Sequence, residues 1–207
     1  GVVGVVEGDF VLVVGYPGST NLYRLASVVA EAFEWTYPAG VALRTESLDI
    51  IDRETAGRPE AAIAYAATVS YLNNSLKNGQ GMLAGFAYSE SVERKRLIEA
   101  QLAEWIAADP ERQARWGDAL IELQAVLDEK SLHRARDQVF ASLKYNQLVG
   151  VANRSYRLAR ERELPDGERK PGYQERDMAR IRARVARMSR SFDAQVDQAR
   201  LQSTLEN

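Results

Sequence analysis

The first 20 residues of the chain and all that follows them predict different kinds of secondary structure. Val2–Val6 and Phe10–Val14 are short, apolar and rich in β-branched residues, which is typical of strands. Glu7-Gly8-Asp9 lies between them and favours a hairpin turn. From Pro38 onward we find only helical periodicity. Because one or two strands cannot form a stable sheet alone, we expect the chain to be a piece of a larger protein.

The strongest helical pattern lies between Pro59 and Phe86. Apolar or small residues recur there at alternating spacings of four and three, at Tyr65, Val69, Leu72, Leu76, Gly79, Leu83 and Phe86. This spacing is a heptad seam and predicts that the helix packs lengthwise on another. A helix over Ala39–Ala56 is predicted before it, with Gly57-Arg58-Pro59 ending one helix and beginning the next.

The rest of the chain predicts further helices joined by short connections. We predict a helix over Ser89–Ala108, another beginning at Pro110, and one long helix or two meeting near Gly150 over Ser131–Glu163. Leu164–Gly172 is a linker, and the last helices run from Tyr173 to Leu205 with a break near Ser191. The predicted fold class is mainly α: antiparallel helical hairpins or a bundle, with a short N-terminal β remnant. Residues 1–24 would end a β domain and residues 25–207 would form a helical domain.

Composition excludes several kinds of function. The chain has no cysteine, which rules out disulfides, cysteine-ligated metals and a thiol nucleophile. No apolar run approaches the roughly 20 residues that span a bilayer, so we predict no membrane span. The net charge of -2 gives no overall attraction to nucleic acid. Arg154–Arg190 is rich in arginine, but acidic residues are interspersed, and we predict a solvated, ion-paired face there.

Two other candidate sites are weak on their residues alone. His133 is the single histidine and lies in a charged helical stretch, whereas a catalytic triad or a zinc site needs partners of defined type. We therefore expect it to have a surface or structural role. Gly15-Tyr16-Pro17-Gly18-Ser19-Thr20 lacks the lysine and the glycine spacing of a phosphate-binding loop, so we interpret it as a turn that closes a strand.

Asn73-Asn74 is the polar feature that helical propensity explains least. Asparagine is unfavourable inside helices, because its side chain competes for backbone groups. At about 100° per residue, Asn73 flanks the Leu72 side of the helix and Asn74 points nearly opposite, in line with Ala67. The pair predicts an interhelical hydrogen bond, a helix kink near Gly79, or a wall open to a ligand.

Five motifs in order along the chain give a resemblance to a known family. They are Gly8-Asp9-Phe10-Val11-Leu12-Val13-Val14-Gly15-Tyr16-Pro17-Gly18-Ser19-Thr20, Glu34-Trp35-Thr36-Tyr37-Pro38, Leu72-Asn73-Asn74-Ser75-Leu76-Lys77-Asn78, Trp105-Ile106-Ala107-Ala108-Asp109-Pro110 and Pro171-Gly172-Tyr173-Gln174-Glu175-Arg176-Asp177. Together they resemble the bacterial dipeptidyl-peptidase 7 and 11 family, serine peptidase family forty-six, which includes dipeptidyl aminopeptidase BII.

The resemblance implies a parent enzyme with a chymotrypsin-like double β-barrel and a helical domain inserted over its active-site cleft. Such enzymes release dipeptides from the free N-terminus of peptides, need no cofactor or metal, work as homodimers, and are periplasmic or at the cell surface of Gram-negative bacteria. Their helical domain contributes an asparagine that helps to bind the substrate's terminal ammonium. Asn74 and Asn73 are the candidates in this sequence, with Asn74 on the open face and Asn73 beside the seam.

One departure from the family pattern limits what the chain does alone. The family's nucleophile lies in a Gly-Asn-Ser-Gly-Ser-Pro motif, and no such string is present. We therefore expect no catalytic residue in this chain and no peptidase activity from it in isolation. The alternative interpretation is a non-catalytic helical module that binds partner helices through its seams.

Overall fold

The computed structural model describes residues 4, 6–12 and 23–206, and within these residues the regular secondary structure is helical. The α-helices are α1 Ala26–Glu31, α2 Tyr37–Thr55, α3 Pro59–Phe86, α4 Ser91–Ala107, α5 Pro110–Trp116, α6 Ala119–Leu132, α7 Arg134–Leu143, α8 Gln147–Glu161, α9 Met178–Ser191 and α10 Ala194–Glu206. Short 3₁₀ turns cover Asp166–Glu168 and Glu175–Asp177. The mainly α class is thus confirmed over the described part of the chain.

A tight turn occupies the position where a hairpin turn was predicted. The Asp9 N–H donates to the Val6 carbonyl at 3.2 Å, and the Asp9 carboxylate accepts from the Val6 N–H at 2.9 Å. Gly8 has a φ of +96°, in the region that favours glycine. Phe10–Leu12 do not form a strand. The rest of the predicted hairpin, and the Gly15–Thr20 turn, lie outside the described residues, so the β remnant stays a prediction.

The helical part begins at Ala26, within a stretch, Leu25–Phe33, whose sequence is compatible with either a strand or a helix. α1 begins at Ala26, and a π-helical segment, Ala32–Thr36, joins it to α2 without a break. Pro38 lies in the first turn of α2, as predicted, although the backbone before it is already helical. Proline supplies no N–H to the preceding turn, and a π-type turn is one way in which a helix accommodates such a gap.

α2 and α3 form a helical hairpin with a glycine at its corner. α2 ends at Thr55, and Gly57 follows with a φ of +71°. The Arg58 N–H closes the turn on the Thr55 carbonyl at 2.9 Å, and Pro59 opens α3. Glycine commonly follows the end of a helix, and proline commonly begins the next one. The predicted boundary at Gly57-Arg58-Pro59 is therefore confirmed.

The predicted seam of α3 is the side that packs inward. Tyr65 is fully buried and Leu72 nearly so, and Gly79 is buried as well. Gly79 allows a close approach to α2, because a Cβ added there would lie 3.1 Å from the Val41 methyl. At the end of α3, Phe86 stacks on Phe33 with their ring centroids 3.8 Å apart.

α10 completes the core of the hairpin. Val196 is fully buried and joins Ile51, Tyr65 and Leu72 in one apolar cluster. α10 begins after Asp193, whose carboxylate accepts from the Val196 N–H at 3.1 Å. Such an interaction at a helix start satisfies one of the free backbone donors of the first turn.

α8 is held against α10 by two buried polar side chains. Asp197 accepts from the N–H groups of Gln147 at 2.8 Å and Leu148 at 3.2 Å. Asn146 accepts from the Val149 N–H at 3.0 Å and donates from its amide to the Asp197 carbonyl at 2.8 Å. The first three backbone N–H groups of α8 therefore all donate to side-chain oxygens.

The helix break between residues 131 and 163 lies away from Gly150. α7 ends at Leu143 and α8 begins at Gln147, so the predicted junction near Gly150 was misplaced. Asn146, whose side chain caps α8, is the local signal for this start, and its buried contact with Asp197 of α10 holds the break in place. The break near Ser191, in contrast, is confirmed, with α9 ending at that residue.

Candidate functional site

α3 separates two cavities, and the two asparagines lie on different sides of it. On one side, a groove of about 620 Å³ runs between α2 and α3; its lining includes Leu48, Asp49, Asp52, Ser70 and Asn73. We refer to it as the α2–α3 groove. On the other side, a second cavity of about 410 Å³ has Ala67, Tyr71 and Leu72 in its wall.

Asn73 is an exposed residue of the groove wall, which it shares with the seam residue Val69. Its amide nitrogen donates to the Val69 carbonyl one turn earlier in α3, at 3.0 Å. The hydrogen bond from the Asn73 amide therefore lies within α3 and does not join two helices. Because the nitrogen is held by its own helix, the Oδ1 oxygen remains as an acceptor at the groove surface.

Two carboxylates face Asn73 across the same groove. Asp49 and Asp52 lie three residues apart on α2, which places them on one face of that helix, and both line the groove. The ion pairs within residues 23–206 involve neither of them. The groove thus combines an amide oxygen with two carboxylates, all of which are hydrogen-bond acceptors.

This set of acceptors suits a cation with several N–H donors. An ammonium group carries three donors and no acceptor, and hydrogen bonds to charged partners are stronger than neutral ones. The carboxylates were not predicted as site residues. The available signal was an i, i+3 acidic pair on the helix before the asparagines, which gains meaning only when α2 and α3 are known to pair.

Asn74 is exposed as well. It follows Ala67 by seven residues, which is about 20° short of two helical turns, so it lies on the side of α3 that carries the second cavity. The two asparagines therefore lie on different sides of α3.

The remaining candidates of the sequence have structural surroundings. His133 is exposed at the junction of α6 and α7. The arginine-rich region contains several ion pairs, which are Arg160–Glu163, Arg169–Asp166, Lys170–Glu161 and Arg180–Asp177. They agree with the predicted ion-paired face.

Metal and membrane sites are absent from the part of the chain that the structure describes. Within it, no three side chains among histidine, aspartate and glutamate are grouped closely enough to hold a metal ion. None of its helices has the length and the apolar character needed to cross a membrane.

Comparison with known proteins identifies the family. The model of the family described as Peptidase S46 matches residues 2–207, and the chain belongs to that family. The resemblance carried by the five motifs is thus confirmed. The chain spans about a quarter or less of the length of the relatives described next.

Three relatives show the kind of protein to which the chain is similar. It is 33% identical to an Asp/Glu-specific dipeptidyl-peptidase of Shewanella putrefaciens, over 98% of this chain and 27% of that protein. It is 30% identical to a dipeptidyl-peptidase 7 of Capnocytophaga gingivalis, over 72% of this chain and 21% of that protein. It is 31% identical to a dipeptidyl-peptidase 7 of Phocaeicola vulgatus, over 58% of this chain and 17% of that protein. The relatives of this helical chain are therefore dipeptidyl-peptidases.

Proposed function

We propose that this chain is the helical, substrate-capping domain of a serine dipeptidyl aminopeptidase that releases dipeptides from the free N-terminus of peptides. Membership of the peptidase S46 family and the names of the relatives support the reaction class. The helical fold of residues 26–206 supports the role of a cap. In this proposal residues 1–24 belong to the β-barrel that carries the chemistry, and this chain supplies no catalytic residue.

The observation that carries the proposal is the α2–α3 groove. Its polar wall offers the Asn73 amide oxygen and the Asp49 and Asp52 carboxylates, and the N-terminal ammonium of a peptide is the complementary group. A blocked N-terminus has lost the charge and two of the donors, so it would leave these acceptors without partners. Such a groove would select chain ends.

The chemical step would be carried out by the serine, histidine and aspartate of the parent enzyme. Holding the ammonium at a fixed distance from the nucleophile would place the second peptide bond for attack, which explains release of two residues at a time. The contribution of this chain is thus positioning of the substrate. The proposal includes a homodimeric parent without a cofactor, located in the periplasm or at the cell surface of a Gram-negative bacterium.

The proposal predicts the kinetics of asparagine variants of the full-length peptidase. Loss of a hydrogen bond to a charged group weakens binding by roughly 1.5–3 kcal/mol, which is about ten- to a hundredfold in kcat/KM. We expect this loss for Asn73→Ala with dipeptidyl reporter substrates. Asn74→Ala tests the other side of α3, and Asn78→Ala is the matched control, because Asn78 is exposed on the same helix and lines neither cavity.

The outcomes separate the role of the site from that of the fold. Because Asn73 and Asn74 are exposed, neither variant should lower the melting temperature. A loss of kcat/KM confined to Asn74→Ala would show that the ammonium binds on the opposite side of α3. If neither variant changes kcat/KM by more than about threefold, or roughly 0.65 kcal/mol, the anchoring role is wrong.

A further inference from the structure

The second cavity, of about 410 Å³, is lined by six helices. α2 and α3 form one side, and α7, α8, α9 and α10 contribute the rest. Its polar lining includes two guanidinium groups and several hydroxyls, which belong to Arg44, Arg200, Ser47, Thr68, Ser142 and Thr204. Among the residues that the structure describes, no acidic side chain lines it. The volume is within the range of sites that hold small molecules.

The two arginines bring positive charge that the described part of the chain does not neutralise. Arg44 projects from α2 and donates to the carbonyl of Gly40 on its own helix at 2.6 Å. Arg200 projects from α10. Neither takes part in an ion pair within residues 23–206. Partly buried guanidinium groups without an acidic partner are unfavourable unless an anion reaches them.

One donor of Arg200 indicates the same kind of ligand. Arg200 lines the cavity, and its Nε is buried and has no hydrogen-bond partner among the described residues.

The carboxylate of Asp197 is engaged elsewhere. It lies one turn before Arg200 on α10, but its two oxygens accept from the backbone N–H groups of Gln147 and Leu148. The charge of Asp197 is thus directed to the start of α8. A buried donor without a partner in a native structure requires an explanation, and an anionic ligand provides one.

We propose that this cavity binds a carboxylate on a small, partly apolar molecule. A guanidinium presents a planar pair of donors that matches a carboxylate, and Leu43, Tyr71 and Tyr145 supply apolar surface for the rest of the ligand. Two sources share this chemistry, a free organic acid and the C-terminal carboxylate of a short peptide. The inference goes beyond the ammonium groove, because it concerns the opposite side of α3 and a ligand of opposite charge.

Isothermal titration of the 207-residue chain tests the proposal with matched probes. N-acetylphenylalanine carries a carboxylate and an aromatic ring, and its amide differs only in lacking the charge. The dipeptide Gly-Phe and its amide test the peptide source in the same way. We expect saturable binding of at least one acid and binding at least tenfold weaker for its amide.

Arginine variants place the binding in the cavity. Arg44→Gln and Arg200→Gln should each weaken binding at least tenfold, and Arg44→Lys should retain part of it. Arg53→Gln is the control, because Arg53 lies on α2 with its side chain 66% exposed and should leave binding unchanged. If a variant fails to fold, nuclear Overhauser contacts from the ligand ring to Tyr71 and Tyr145 in the unaltered chain decide the location.

Each outcome bears on the proposal. Preference for N-acetylphenylalanine identifies a free acid, and preference for Gly-Phe identifies a peptide end. Equal affinity for acid and amide would overturn the carboxylate assignment, as would equal effects of Arg44→Gln and Arg53→Gln. The proposed site would be overturned if neither N-acetylphenylalanine nor Gly-Phe bound saturably. It would also be overturned if the ligand ring showed nuclear Overhauser contacts to neither Tyr71 nor Tyr145. These readouts are independent of peptidase kinetics, so a failed ammonium groove would leave them unaffected.

Discussion

Replacement of Asp197 by alanine is the sharpest test of how the domain is held together. The side chain is 3% exposed, and it accepts hydrogen bonds from the N–H groups of Gln147 and Leu148 at 2.8 and 3.2 Å. Its removal leaves two backbone donors of α8 without their partner. It also removes a negative charge from a helix N-terminus, where negative charge is favourable.

The expected loss follows from these two contacts. A buried donor left without a partner costs roughly 1–3 kcal/mol, and loss of a helix cap costs roughly 0.5–2 kcal/mol. Water that reaches the freed N–H groups of Gln147 and Leu148 would reduce the total. We therefore expect Asp197→Ala to lower the free energy of unfolding by about 2–4 kcal/mol, and the melting temperature by roughly 4–16 °C for a chain of this size.

Urea unfolding followed by circular dichroism at 222 nm measures this difference directly. Asp128→Ala is the matched control, because Asp128 is exposed and its carboxylate accepts one hydrogen bond, from the Gln124 amide at 2.7 Å on the same helix. We expect that control to stay within about 0.5 kcal/mol of the unaltered chain. Hydrogen exchange should also accelerate first in the amides at the start of α8.

Two results would refute the reasoning. If Asp197→Ala were as stable as Asp128→Ala, the buried carboxylate would not hold α8 against α10. If stability fell while exchange at the start of α8 stayed slow, the loss would come from elsewhere in the core, and the capping account would be wrong.

Two further perturbations have expected directions. The Val196 N–H, and secondarily Arg58, hold the pKa of Asp193 below its usual range against the opposing effect of burial. Its stabilisation is therefore present above roughly pH 4, the unfolded value, and is lost as the pH falls through the lower folded value. Asp193→Ala should cost about 1 kcal/mol at pH 7, and the difference in urea midpoint should shrink on acidification; a constant difference would contradict this. Gly57→Ala should cost roughly 1–2 kcal/mol because of the positive φ, whereas Gly167→Ala, with open space at its Cβ, should be nearly neutral in the same melts; equal effects would show that the corner is unstrained.

The parts of the fold with strong local signals were predictable. α3 begins and ends at Pro59 and Phe86, as the seam and the flanking residues predicted. Its inward side was predictable too, because burial of Tyr65 and Leu72 follows from a period that the sequence shows directly. A long, regular apolar repeat leaves few alternatives for the helix that carries it.

Features that depend on pairing between distant elements were not predictable. The break before α8 contains no glycine or proline, and its local signal is a single asparagine, the cap residue Asn146. The contact that holds it comes from Asp197, which lies 51 positions later. For the same reason, Asn73 was singled out by its poor helical propensity, but its groove partners Asp49 and Asp52 were not. Single-residue oddities are visible in a sequence, whereas the groups opposite them appear only when the helices are placed.

The position of α10 in the core has a consequence for how the chain comes to fold. Val196 packs with Ile51 and Tyr65, which precede it by well over one hundred positions. Closing a loop of that length has an entropic penalty of roughly 4 kcal/mol plus a constant term, and contacts of such separation slow folding. During synthesis the α2–α3 hairpin emerges long before α10 and exposes its inner side to solvent in the meantime. The nascent chain is thus more open to aggregation and to proteases in the interval before α10 leaves the ribosome.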